Sequence, residues 1–317
     1  MSILEIVLRA AAALAMLLVL PLVVGQTEHK VMAHMQGRLG PMYAGAYHGW
    51  AQLVADGAKF VQKEDLVPRA ADRGVFKLAP ALAMIPYLLG LAAIPIHPGY
   101  AAIEAPASVL FVLAATSIGV LGTLMAGWAS ANKYALLGAM RGAAQLISYE
   151  LPMVLAVASV ALAAGTLSLP GVIEAWTPWW LLWQLPGAFV FLAAAVAELQ
   201  RPPFDMPIAD SEIVFGPYTE YTGLRFALFL LSEYAGIVLF SLLFAVLYLG
   251  GWRGPFDDVL GWAWTLLKGF VVALALIWIR VSWPRLREDQ LQRFAWTGLI
   301  PLALLQLALT AVAVAYF

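Results

Sequence analysis

Eight stretches of this chain are each apolar for about 20 residues, the helical length that crosses roughly 30 Å of hydrocarbon. They fall near Ile3–Val24, Val75–Ile96, Pro106–Trp128, Ala143–Ala164, Trp179–Glu198, Phe226–Leu249, Trp262–Val281 and Phe294–Phe317. Lipid offers no partner to a backbone N–H or C=O, so such stretches form helices that satisfy themselves. The expected fold is therefore all-α: a polytopic membrane protein of about eight transmembrane helices. Residues 1–317 form one transmembrane domain, with cytoplasmic loops at 26–74 and 199–225. The chain is 63% hydrophobic and 12% charged, which excludes an ordinary soluble enzyme. The first stretch lacks a basic start and a small-residue cleavage site, so it reads as a helix and not a leader. Trp176, Trp179, Trp180, Trp183, Trp252, Trp262, Trp264 and Trp283 gather at stretch ends, as an interfacial aromatic belt does. No internal repeat points to the inverted halves of a transporter.

Several chemistries are closed to this sequence. It has no cysteine, so a disulfide, an iron–sulfur cluster and thiol catalysis are all excluded. Its four histidines, His29, His34, His48 and His97, avoid the middles of the apolar stretches, so no axial pair for an intramembrane haem exists. His29 and His34 are five apart, a poor spacing for one helical metal face, and no metal site is expected. The net charge of −1 and the lack of a basic patch give no reason to expect nucleic acid.

Lysine and arginine set the orientation. The segment 26–77 carries Lys30, Arg38, Lys59, Lys63, Arg69, Arg73 and Lys77; the alternate loops that follow carry Lys133, Arg141, Arg201, Arg225, Arg280, Arg285, Arg287 and Arg293. These are fifteen of the eighteen cationic residues, against Arg253 alone in the opposite loops. Positive loops stay inside, so both termini are expected on the outer side of the membrane. Glu5 and Arg9 are expected to pair at the outer edge, and Lys268 to snorkel there.

Against this apolar background the segment Glu198–Gly236 stands apart. It holds Glu198, Asp205, Asp210, Glu212, Glu220 and Glu233 beside Arg201 and Arg225. Ionisable groups at membrane depth are expensive, and they mark ion or proton routes. Glu150 lies nine residues past Arg141 and Glu233 eight past Arg225, about 13 and 12 Å along helices that both run outward. The acids thus form a funnel, with loop carboxylates above and two buried glutamates below. Residue chemistry alone leaves open a proton-coupled carrier, a redox-linked relay, or acids that serve only structure. Acids such as Asp210 and Glu212 are, in the plainest reading, merely solvated.

The blocks Glu28–Pro41 (EHKVMAHMQGRLGP), Ala55–Pro68 (ADGAKFVQKEDLVP), Arg141–Pro152 (RGAAQLISYELP), Glu198–Gly236 and Trp278–Trp296 (WIRVSWPRLREDQLQRFAW) carry a likeness along nearly the whole chain. The chain resembles the H-subunit family of bacterial NADH-quinone oxidoreductase, the membrane component of respiratory complex I that borders its quinone chamber. The resemblance implies eight transmembrane helices in the bacterial plasma (inner) membrane, with quinone as substrate and nothing bound covalently. It places iron–sulfur clusters and flavin only in partner subunits. Those partners are hydrophilic subunits of the quinone pocket and small membrane subunits alongside.

By the same resemblance Glu150, Glu198, Asp205, Glu212, Glu220 and Glu233 match the family's coupling acids, a proton relay. His29, Arg38, Arg280 and Arg285 fall on its quinone tunnel. The family commonly reads ERK where this chain has Glu28–His29–Lys30, so a permanent charge becomes a titratable one. It commonly reads PEAESE where this chain has Pro207–Glu212; Ile208 replaces one acid and Asp210 shortens another. Its GFHTEY is here Gly216–Tyr221, GPYTEY. Related membrane subunits of group 4 hydrogenases and of ferredoxin- or deazaflavin-linked complexes share this ancestry and stand as the alternative, ahead of a proton-coupled secondary transporter.

Overall fold

The computed structural model describes residues 3–316, the side chains of Ile3, Asp210 and Ser211 excepted. Thirteen α-helices follow one another among them: α1 Ile3–Met35, α2 Gln52–Gln62, α3 Arg73–Ala93, α4 Ser108–Ala129, α5 Lys133–Ala164, α6 Leu169–Ala175, α7 Trp180–Trp183, α8 Leu185–Glu198, α9 Asp210–Ile213, α10 Gly223–Tyr248, α11 Asp257–Ser282, α12 Glu288–Phe294 and α13 Ile300–Tyr316. A 3-10 turn, Gly216–Tyr218, precedes α10, and a π turn, Ala295–Leu299, joins α12 to α13. Among the described residues, seven stretches are long and apolar enough to cross a membrane: α1, α3, α4, α5, α10, α11 and the continuous run through α12 and α13. The protein is a multi-pass membrane protein.

The fifth expected crossing, Trp179–Glu198, is made in two pieces. Only the short α7 and the 14-residue α8 occupy it. Pro186 sits in the first turn of α8, where its missing N–H costs nothing, but its ring bars α7 from running through. The buried Gln184 joins the two pieces, and its Oε1 accepts from Ser159 Oγ at 3.2 Å and Gln306 Nε2 at 3.1 Å. Side-chain hydrogen bonds therefore offset the break.

Two further boundaries differ from expectation, and both move charged residues onto helices. The first helix continues past Val24 to Met35, so Glu28, His29 and His34 are helical. The segment 26–74 thus contains the end of α1 and the whole of α2, and is only in part a loop. The fourth crossing starts at Lys133 instead of Ala143, because the Asn132 side chain accepts from Tyr134 N at 2.9 Å and caps the helix there. Arg141 consequently projects from α5.

Helix α10 is the centre of the bundle. In its most apolar window 78% of residues are buried, against 17% for α1, which therefore lies at the edge of the bundle. Around α10 stand α1, α3, α8 and α11, while α5 packs on α4, α8 and α13. Small residues let the backbones approach. At Gly122 of α4 a Cβ would lie 2.5 Å from Ala83 N on α3, so only glycine fits that crossing. Lys268 reaches the loop after α10, on the side where snorkelling was expected: its Nζ donates to the carbonyls of Leu249, Gly251 and Arg253 at 2.8, 2.9 and 2.6 Å. It thereby satisfies the free carbonyls beyond the end of α10, where a cation is favoured. The Glu5–Arg9 pair forms as expected at 2.8 Å, and Arg9 also reaches Glu104 at 2.5 Å.

Candidate functional site

At the basic end of the bundle the chain leaves α8 and does not cross back until α10. Gln145 on α5 holds this segment in place: its Nε2 donates to Ala197 O at 2.6 Å and to Phe204 O at 2.8 Å. Leu286 N donates to Pro203 O at 3.0 Å from the other side. So fixed, Arg201 is buried, 4% exposed.

A buried guanidinium requires anions, and it has two. Arg201 Nη1 donates to Glu28 Oε2 at 2.6 Å, and Arg201 Nε donates to Glu233 Oε1 at 2.8 Å. Glu28, fully buried, also accepts from Arg280 Nη1. The result is an alternating row, Glu233–Arg201–Glu28–Arg280, formally neutral, drawn from α10, the 199–222 segment, α1 and α11. Burial opposes the charge of Arg201, but Glu233 and Glu28 outweigh it and hold the guanidinium more firmly protonated than usual. Its Nη2 has no hydrogen-bond partner among the described residues and is left as a buried donor.

Two cavities flank this row. The larger, about 210 Å³, is lined by Arg201, Asp205, Glu233, Tyr234 and Arg280 among others. The smaller, about 30 Å³, is lined by Tyr87, Thr123, Glu198, Ser232 and Glu233 among others. That is room for a water molecule, since a site of some 10–15 Å³ suffices. Glu198 is 8% exposed and its Oε2 has no partner among the described residues, so a proton or a water is the natural complement there. Gln200, which touches both cavities, is held at a φ of 52°, a strained conformation for a non-glycine residue. Tyr218 also lines both; burial pushes its phenol up to about 12, with Glu233 adding to the shift against a hydrogen bond with Thr123. It is a neutral hydroxyl at any working pH.

Of the six expected relay acids, the structure gathers Glu198, Asp205 and Glu233 around the two cavities. Glu150, half-buried on α5, accepts from Ser117 Oγ on α4, and its charge bears on Glu198. Glu212 and Glu220 are instead tied at the rim. Arg141 donates to Glu212 at 2.5 Å and Arg285 approaches it at 3.3 Å, while Asn132 Nδ2 donates to Glu220 at 2.7 Å. The hydrogen bond from Arg141, aided by the charge of Arg285, keeps Glu212 below the usual carboxylate range. The Asp210 side chain lies outside the described residues. Of the four expected quinone-side residues, Arg280 lines the larger cavity, Arg285 pairs with Glu212, Arg38 is exposed and donates to Gln36 at 2.9 Å, and His29 is half-buried on α1 beside Glu28.

A family model described as NADH dehydrogenase matches residues 8–311. The chain belongs to the NADH dehydrogenase family. Relatives in this family include the NADH-quinone oxidoreductase H-subunit of Geobacillus kaustophilus strain HTA426, 44% identical over 295 residues, which cover 92% of this chain and 88% of the relative. The H-subunit of the same oxidoreductase from Bacillus mycoides strain KBAB4 is 46% identical over 287 residues, covering 90% of this chain and 86% of the relative. In this member of the NADH dehydrogenase family, two residues at the centre of the site carry no functional mark in the sequence. Glu28 stands in a polar run, Glu28–His29–Lys30, that reads as a loop, and Arg201 reads as a counter-charge to nearby acids. The available signal was an arginine directly before Pro202–Pro203, in a segment whose other charges are acidic as far as Arg225.

Proposed function

We propose that this chain is the membrane subunit of a proton-translocating NADH-quinone oxidoreductase of the bacterial plasma membrane, bordering the quinone path and coupling quinone reduction to proton movement. The observation that carries this reading is Glu233. Its carboxylate is ion-paired to Arg201 and lines both cavities, so one acid faces both the charged chamber and the deeper pocket of Glu198.

Reduction of a quinone takes two electrons and two protons, and charge appears in its surroundings before protons arrive. In a low-dielectric interior such a change shifts neighbouring acids strongly, and coupled acids titrate as a group. Negative charge near Arg201 and Arg280 competes with Glu233 and Glu28 for the guanidinium groups. A carboxylate so displaced loses its counter-charge and takes up a proton, which Glu198 and then Glu150 pass inward. Iron–sulfur and flavin chemistry belongs to the hydrophilic partner subunits, and small membrane subunits flank the bundle.

A second feature favours quinone over a simple ion. An apolar cleft of about 540 Å³ lies between α1, α10 and α11, within the range of ligand pockets, and is lined by Val24, Val238, Leu242, Gly269 and Ala273 among others. On α1, Glu28 follows Val24 by four residues; on α10, Tyr234 precedes Val238 by four; on α11, Arg280 follows Ala273 by seven. Each pair shares a helix face. All three helices thus lead from hydrocarbon to the charged chamber, the sequence of environments that an isoprenoid quinone with a polar head requires.

The test is Glu233→Gln and Glu198→Gln in the assembled complex, keeping shape and removing the titrating proton. Quinone-linked turnover is expected to fall by roughly 10²-fold, the lower end for a positioned acid–base group, with assembly kept. Turnover and proton pumping at wild-type levels in both variants would reduce the two acids to structural residues.

A further inference from the structure

The two cavities beside Arg201 are separate, yet four residues line both: Gln200, Ile208, Tyr218 and Glu233. Three of the four have a group able to donate or accept a hydrogen bond. Ile208 has none. Its place is fixed from both sides. Pro207 packs against α5, where a Cβ on Gly138 would lie 2.7 Å from the Pro207 carbonyl oxygen, and Ala209 is fully buried. The backbone cannot slide Ile208 away without prising the segment off α5.

We propose that Ile208 is an apolar partition between the two cavities, which keeps a water thread from joining them and leaves Glu233 as the one carboxylate that faces both. An apolar constriction excludes a water thread even where the passage is wide enough, because the water has no partners there. The chamber on one side holds Arg201, Asp205 and Arg280, and the pocket on the other holds the free oxygen of Glu198. Continuous water between them would carry protons whatever the state of Glu233, and the link to the Arg201 ion pair would be bypassed. With the partition in place, the acid that can carry a proton across is the one tied to Arg201, Glu233. Ile208 is thus a positioning residue: it sets the path by exclusion and carries no proton.

This inference rests on the relay reading above, and its test keeps the two apart. Ile208→Ala, Ile208→Val and the double variant Ile208→Ala with Glu233→Gln are made in the assembled complex in sealed vesicles. The readouts are protons translocated per quinone reduced, stimulation of turnover by an uncoupler, and turnover itself. Ile208→Ala is expected to lose proton yield and uncoupler stimulation, while Ile208→Val, still apolar, keeps both. The double variant is expected to recover turnover over Glu233→Gln alone, because water then bypasses the missing acid; a packing defect would only add to the loss. Should Ile208→Ala not assemble, Ile208→Thr, close to valine in size but able to hold water, carries the same expectations. Wild-type proton yield in the Ala or Thr variant, with no recovery in the double variant, overturns the partition. Wild-type behaviour of Glu233→Gln alone overturns the relay instead.

Discussion

Arg201 is the residue on which the charged row depends, because one guanidinium serves two carboxylates from different helices. Its planar fork presents Nη1 to Glu28 and Nε to Glu233 at once, a division that a lysine ammonium cannot reproduce. Truncation leaves Glu233 without its counter-charge and Glu28 with Arg280 alone. Loss of one partner from a buried pair destabilises by about 3–5 kcal/mol. Arg201→Met is therefore expected to lower the melting temperature and the assembled fraction of the complex, whereas Arg201→Lys assembles but turns over poorly. A melting temperature of Arg201→Met equal to wild type would mean that the row contributes nothing to the fold. How much of this was legible follows from where each residue sits. Glu198 and Glu233 declare themselves as acids inside apolar runs. Glu28 does not, since its partners Arg201 and Arg280 are 173 and 252 residues away and no spacing in the chain connects them.

At the scale of elements, hydropathy located α3, α4, α10 and α11 closely, because a lipid-spanning helix is marked by length and apolarity together. It missed the break at Gln184, which a single proline imposes within an otherwise apolar run, and it missed α2, an exposed helix without buried residues. It also left 199–225 as a loop, whereas contacts from α5 shape its first part and α10 begins at Gly223. One of these contacts is testable by pH. Arg141 on α5 and Arg285 hold Glu212 below the ordinary carboxylate range. A depressed value stabilises the tie at and above the free carboxylate's pKa of about 4.3, and the tie is lost as pH falls through the lower, bound value. Hydrogen exchange at residues 209–216 is expected to stay slow from neutral pH to about 4.3 and to quicken only below it. Glu212→Gln should exchange quickly across the whole range. Equal protection in wild type and variant would show that backbone packing alone holds the segment.

For the molecule as a whole, the deciding asymmetry is between the two ends of the bundle. Fifteen of its eighteen lysines and arginines belong to the end with the charged chamber. The three remaining cations are all engaged: Arg9 with Glu5 and Glu104, Lys268 with three carbonyls, and Arg253 with the Trp176 carbonyl at 2.7 Å. The number of lysines and arginines near helix ends, more than their pairing with acids, is what fixes topology. The charged chamber is then expected to open toward the cytoplasm, where the proposed function requires NADH to be used, with both chain ends facing out. A phosphatase that is active only outside the cytoplasm, fused after Phe317, is expected to be active; the same enzyme inserted between Gln62 and Pro68, beyond α2, is expected to be silent. The reverse pattern would put the chamber on the side without NADH. It would break the link between Glu233 and quinone reduction at the level of the whole complex, however well the residues around Arg201 are arranged.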